Sequence, residues 1–254
     1  LKSEKIMIQL DISENLKELV KDKKVAFVGP APYLIGEGLG SLIDDYDIIC
    51  RVNDLIPPPE IRKDYGSRTD VMFHNLGTPF QDGLKRKIEA YPEDFKNLKM
   101  VACPVIKSDY SDTNYLEWPD TYISNVVRNF EALNVHKIPL SWIGVKNYKK
   151  LYHEIGVEFN SGVGGIAMLL NCPLKELFIT GFTFYLGGDS HDELYYEGHW
   201  DKEELHRTTV GIRGGHGAIA NLRQIEFMKG FIEAHLKQGT LRIDSYLASL
   251  FGFH

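Results

Sequence analysis

Two stretches of this 254-residue chain each couple a short unbroken apolar run to a glycine-bearing reversal and a helix start. They are Val25 to Asn53 (VAFVGPAPYLIGEGLGSLIDDYDIICRVN) and Asn160 to Phe182 (NSGVGGIAMLLNCPLKELFITGF). An unbroken apolar run of this length is how a parallel strand covered on both faces reads. Glycine lets the backbone turn sharply and approach a phosphate, and a helix N-terminus offers free N–H groups and the positive end of its dipole. Two such units in one small chain point to an α/β fold that holds a nucleotide.

The rest of the chain continues the alternation. Ile12, Leu16, Leu19 and Val20 follow helical spacing, so residues 1–23 are expected to lead as an amphipathic helix into a strand over Val25 to Val28. A helix around Gly38 to Ile43 and a strand over Ile48 to Val52 complete the first βαβ unit. Strands follow at Val71 to His74 and Lys99 to Val105, with a helix near Leu84 to Tyr91 between them. Residues 106–145 lose the pattern apart from a helix near Tyr122 to Leu133, and 187–217 is a loop; both are expected to shape an acceptor pocket. A helix over Gly164 to Asn171 and a strand over Glu176 to Gly181 form the second unit. A long helix, Ala218 to Gln238, carries Ile219, Leu222, Ile225, Met228, Ile232 and Leu236 on one side and ends at Gly239. The expected architecture is one Rossmann-like domain over 1–254 with a central, mostly parallel sheet.

Composition removes several classes of function. At 43% hydrophobic and 25% charged the chain can bury a real core. A net charge of -6 advertises no basic face for nucleic acid. No stretch approaches the roughly 18 apolar residues needed to span a bilayer. Cys50, Cys103 and Cys172 sit far apart in or beside apolar runs, without zinc-site spacing, and read as buried reduced thiols of a cytoplasmic protein.

Several residues carry two readings. Gly29, with Gly36, Gly38 and Gly40, suits either a dinucleotide fingerprint or ordinary loop turns, because the glycines come late after the strand. Ser161, Gly162, Gly164 and Gly165 can converge N–H groups and a hydroxyl on one phosphate, or let a helix pack closely on a strand. Asp45 and Asp47 have the D-x-D spacing of a divalent-cation site but precede a strand, which favours solvated turn residues. Asp189, His191, Asp192, Glu193 and His199 lack a regular element to fix metal-ligand spacing, so no metal is expected. Arg68 suits a buried ion pair or a bidentate contact to a ligand carboxylate. His216 lies just before the long helix, whose dipole disfavours the imidazolium and leaves a neutral base near pH 7. Such a base is worth about 10²- to 10⁴-fold in rate when it takes a proton in the transition state.

The wording of these segments resembles a known family. VAFVGPAPYLIGEGLGSLIDDYDIICRVND is similar to the large sialylmotif of the sialyltransferases, glycosyltransferase family 29; DYGSRTDVMFHN resembles its continuation, and NYKKLYHEIGVEFNSGVGGIAMLLNCPLKELFITGF resembles the small sialylmotif and its approach. Tyr195, Tyr196 and Glu197 resemble the third motif. About half the chain is covered, in the family's order.

The resemblance implies a GT-A-variant glycosyltransferase fold and an inverting, metal-independent transfer of an acidic sugar, sialic acid or Kdo, from a CMP-sugar donor to a hydroxyl of a glycan or glycolipid. No cofactor is implied. Asn53 would contact the CMP, while Ser161 and Gly162 would hold its phosphate or ribose. Gly29, Pro30, Ala31, Asn160, Gly181, Phe182 and Tyr195 would complete the donor site, with His216 as catalytic base. Three departures stand out. Pro30 replaces the usual Asn, Asn221 stands where a Glu follows the histidine, and Val25 replaces the cysteine that would pair with Cys172, so that disulfide cannot form. Two other readings compete: an NAD-dependent Rossmann oxidoreductase, which needs an acidic residue about 20 positions past the fingerprint for the ribose, a distance that Asp47 meets although it precedes the strand end where that residue normally sits, and a non-catalytic nucleotide-sugar-binding protein.

Overall fold

The computed structural model describes residues 8–53, 57–76, 78–105, 120–185, 195–196 and 218–253. Seven parallel strands form one sheet: β1 (Lys24–Val28), β2 (Ile48–Val52), β3 (Val71–Phe73), β4 (Met100–Cys103), β5 (Leu140–Trp142), β6 (Glu176–Thr180) and β7 (Leu241–Ile243), in the order β5-β4-β3-β2-β1-β6-β7. The helices are α1 (Glu14–Val20), α2 (Gly40–Asp44), α3 (Arg62–Tyr65), α4 (Thr78–Ala90), α5 (Pro92–Lys96), α6 (Asp120–Leu133), α7 (Val145–Ile155), α8 (Ser161–Leu170), α9 (Ala218–Leu236) and α10 (Ser245–Phe251). Each strand reaches its parallel neighbour only through a crossover, so helices cover both faces.

The two-residue period of the strands divides the core. Val25 and Phe27 face α8 in a cluster with Val163, Ile166 and Leu169, whereas Ala26 and Val28 face Leu34, Ile43 and Tyr65. Met72, Val101 and Cys103 face a third cluster with Phe95 and Phe130. Glycine brings α8 against the sheet. A Cβ on Gly165 would lie 2.7 Å from the Phe27 ring, and one on Gly164 would lie 2.5 Å from the Pro104 carbonyl oxygen.

Three expectations change. The excursion over 106–145 ends earlier than expected, because Leu140–Trp142 is a sheet strand paired with β4. Three residues at an edge, with Trp142 40% exposed, leave too little apolar pattern to read. On α9, Met228 and Ile232 are buried and Ile225 and Leu236 pack against the core as expected, but Leu222 is 57% exposed and Asn221, Gln224, Phe227 and Phe231 join the buried face. Of its polar members, Gln224 reaches the site described below. The N-terminal helix is confined to Glu14–Val20 among the described residues. Cys50 and Cys103 are buried and Cys172 half-buried, all three free. No helix among the described residues is long and apolar enough to cross a membrane.

His74, after β3, is fully buried. Its Nδ1 accepts the Leu76 N–H at 3.0 Å, and Nε2 has no partner among the described residues. Burial pulls its pKa down from 6.5 to about 3. Between those values the unfolded chain binds a proton that the folded protein refuses, so stability falls with falling pH by up to about 1.4 kcal/mol per unit. His74→Asn keeps an acceptor for Leu76 and removes the titration. Denaturant unfolding across this window should show a shallower acid slope for that variant; an unchanged slope would contradict the assignment.

Candidate active site

The strand order changes direction beside β1: β2 lies on one side and β6, far along the chain, on the other. A crevice opens outside the carboxyl ends of strands at such a switch point. Here both strands run into glycine. The Gly29 N–H donates to the Thr180 carbonyl at 2.8 Å and the Ala31 N–H to the Gly181 carbonyl at 2.9 Å. A Cβ on Gly29 would stand 2.1 Å from the Gly181 oxygen, and one on Gly181, at φ +78°, 2.5 Å from the Gly29 oxygen. The two glycine segments therefore touch, and a pocket opens above the contact.

Pro30, Asn53, Asn160, Ser161, Gly162, Gly181, Phe182 and Tyr195, all expected at the donor site, line this pocket. Gly29 and Ala31 lie just beneath it, in the strand-end contact. Val52, Thr183, Phe184 and Tyr185 also line it and were not anticipated. Their one signal was proximity to the strand ends. His216 and Glu197 lie outside the described residues, as do Asp189, His191, Asp192, Glu193 and His199.

Helix α8 starts at Ser161, three residues earlier than expected, with Asn160 as its N-cap. Asn160 Oδ1 accepts the Val163 N–H at 2.9 Å, and the Asn160 carbonyl accepts the Gly164 N–H at 3.1 Å. First-turn N–H groups have no intrahelical acceptor, which leaves those of Ser161 and Gly162 to the pocket. Ser161 and Gly162 line the pocket, while Gly164 and Gly165, and Gly162 against the Phe182 ring, serve close packing. Gln224 Oε1 accepts the Asn160 N–H at 2.9 Å, tying α9 to the cap.

Asn53 follows β2 in the left-handed region, φ 52°, a conformation that Asn tolerates better than most residues. Its N–H donates to the Phe73 carbonyl at 2.6 Å. Its Oδ1 is buried with no hydrogen-bond partner among the described residues, and the residue lines the pocket. Pro30 supplies no N–H, and its carbonyl accepts the Tyr196 N–H at 3.0 Å, which brings Tyr195 over the pocket. The Tyr195 hydroxyl donates to that of Tyr185 at 3.0 Å. Burial raises the Tyr185 pKa, so its phenol stays protonated.

Other candidates prove structural. The Gly38 N–H donates to Asp64 Oδ1 at 2.9 Å, and a Cβ on Gly40 would lie 2.3 Å from the Arg62 carbonyl oxygen, so the late glycines build a local turn and no dinucleotide fingerprint. Asp47 Oδ2 accepts the Lys24 N–H at 2.8 Å at the start of β1. It sits at the opposite sheet end from the pocket, which removes both the D-x-D reading and the ribose contact that an NAD enzyme needs. Arg68 is there too: it donates to Asp70 at 3.2 Å, to the Asp44 carbonyl at 2.8 Å and to the Tyr46 carbonyl. It clamps the entry to β2 and does not line the pocket. No group of three or more His, Cys, Asp or Glu side chains among the described residues could hold a metal.

The family model of glycosyltransferase family 29 (sialyltransferase) matches residues 5–133, just over half of the sequence. The chain belongs to this family. The match covers β1 to β4 and so the Pro30 and Asn53 side of the pocket; the wall from Asn160 to Tyr185 lies beyond it and is joined to it by the sheet. Solved structures share the fold. The monofunctional alpha-2,3-sialyltransferase Cst-I from Campylobacter jejuni is similar at 18% identity and TM-score 0.55, over 97% of this chain and 82% of that one. A variant of the sialyltransferase CST-II in complex with CMP is similar at 18% identity and TM-score 0.57, over 90% and 85%. CstII from Campylobacter jejuni with cytidine-5'-monophosphate is similar at 19% identity and TM-score 0.53, over 91% and 84%. Comparison with curated protein sequences gives no match.

The family member's central contact is directly testable. Gly29→Ala places a methyl group against backbone, which cannot swing aside as a side chain can. It should lower the unfolding free energy by at least the roughly 1–3 kcal/mol of an overpacked core, read from the denaturant midpoint. Parental stability would contradict the contact.

Proposed function

We propose that the pocket binds a CMP-activated acidic sugar, sialic acid or Kdo, and that the protein transfers the sugar with inversion to a hydroxyl of a glycan or glycolipid. The observation that carries this reading is the meeting of the two glycine segments at the switch point of a family 29 chain. The solved relatives whose descriptions name CMP support the nucleotide.

The chemistry follows from the groups in place. The N–H groups of Ser161 and Gly162, at the positive end of α8, suit a phosphate without any cationic side chain. Asn53, whose buried Oδ1 has no partner among the described residues, is the lining residue suited to a hydroxyl or amino donor of the nucleoside. The acceptor oxygen attacks the anomeric carbon as the bond to the phosphate oxygen breaks and CMP departs with the electron pair. His216 takes the acceptor's proton. This role rests on the family resemblance and on its place two residues before α9. As charge grows on the leaving phosphate, the α8 N–H groups stabilise it, and the paired Tyr185 and Tyr195 hydroxyls offer a further contact. The free thiols fit a reducing, cytoplasmic setting.

The test is incubation with CMP-sialic acid, CMP-Kdo and NAD in turn, following melting temperature and CMP release, for the parent and His216→Ala. A donor at about 100 times its dissociation constant should stabilise by roughly 2.7 kcal/mol. CMP release should depend on His216. A response to NAD with none to either CMP sugar would overturn the proposal, and stabilisation without His216-dependent release would mark a binding protein instead.

A further inference from the structure

We propose that Tyr33 and Asp244 are positioning residues for the transfer, setting the donor pocket's wall through a shared hydrogen-bond network. The inference rests on the donor reading above. Tyr33 lies in the 3-10 turn Pro32–Leu34 after β1, and Asp244 caps α10 after β7. Asp244 Oδ1 accepts the Leu247 N–H at 2.8 Å. Its Oδ2 accepts the Thr180 hydroxyl at 2.6 Å and the Tyr33 hydroxyl at 2.7 Å, with the Gly181 N–H at 3.3 Å. The Tyr33 oxygen in turn accepts the N–H of Gly181 at 2.7 Å and of Phe182 at 3.2 Å.

A phenol has one proton and two lone pairs, and here all three are used. Burial and the Asp244 carboxylate raise the Tyr33 pKa far above its ordinary value, so the proton stays. The arrangement turns the N–H groups of Gly181 and Phe182 away from the pocket, although both residues line it. It also holds the Phe182 ring, which would come within 2.9 Å of a Cβ on Gly162, at the start of α8. Position is thus passed from Asp244 to Tyr33, to the Phe182 backbone, and through its ring to the N–H groups expected at the phosphate.

Packing places the Tyr33 ring, while the hydrogen bonds place its hydroxyl. Tyr33 and Asp244 also wall a second cavity with Leu34, Phe178 and Arg242, so the turn is backed there by hydrogen bonds. The Tyr33 ring stacks on Tyr246, centroids 4.2 Å apart at 17°, a contact that survives loss of the hydroxyl.

The experiment compares the parent, Tyr33→Phe, Thr180→Val and Thr180→Ser by CMP calorimetry, donor KM, kcat and melting temperature. Tyr33→Phe and Thr180→Val should raise the CMP Kd and the donor KM about five- to tenfold, the equivalent of one net hydrogen bond. kcat at saturating donor should change less, and Thr180→Ser, which keeps the hydroxyl, should bind as the parent does. A lowered melting temperature with unchanged Kd and KM would show a merely structural network and overturn the proposal alone. A parent that does not bind CMP would overturn the donor reading and this proposal together.

Discussion

Strands β1 and β6 run side by side, and each turns at a glycine whose missing Cβ is occupied by the other's backbone: 2.1 Å from the Gly181 oxygen in one direction and 2.5 Å from the Gly29 oxygen in the other. Any side chain at either position would pry the strand ends apart. The contact makes the switch-point crevice narrow at its floor, and the chains diverge above it. The turn beginning at Pro32 leaves one way, Phe182 to Tyr185 the other, and the start of α8 closes the third side. The pocket is a consequence of this approach, and the Asp244 network reinforces it from behind.

The groups around the pocket differ from those that look reactive in the sequence. Its described lining consists wholly of uncharged residues, although an anionic nucleotide is the proposed ligand. The conspicuous charges build the frame. Arg51 is fully buried, its pKa drawn down by desolvation to about 10, and it donates to the Tyr65 carbonyl at 2.6 Å and the Thr69 hydroxyl at 3.0 Å. Asp70 accepts the Ile49 N–H at 2.8 Å and pairs with Lys99 at 2.8 Å. These charges hold the loops through the backbone, hydroxyl and lysine partners that they reach. Under the proposed function, binding of the anion is left to helix N–H groups and hydroxyls.

Much of this was legible in the sequence, for a physical reason. β1, β2 and β6 are buried on both faces, and a run such as DIIC records that directly; β5, three residues at an edge, records almost nothing. Glycine spacing shows where the backbone is permitted to do something unusual, but not which atoms approach. Gly29, Gly38 and Gly165 look alike in the chain, yet one meets a neighbouring strand, one gives its N–H to Asp64 and one admits the Phe27 ring. Helix register misleads similarly: the apolar Leu222 faces solvent because Gln224 is needed beneath the Asn160 cap. Tyr33 and Asp244 carried no signal, since their meaning comes from three distant segments joined by the sheet.

Amide hydrogen exchange with and without CMP tests the central claim, that the two glycine segments form one nucleotide site, most directly. First-turn amides lack helical partners and exchange quickly unless a ligand covers them. CMP should slow exchange at Ser161 and Gly162 and along Thr183 to Tyr185. Unchanged exchange there, or protection confined to the second cavity around Tyr33 and Tyr246, would contradict the account.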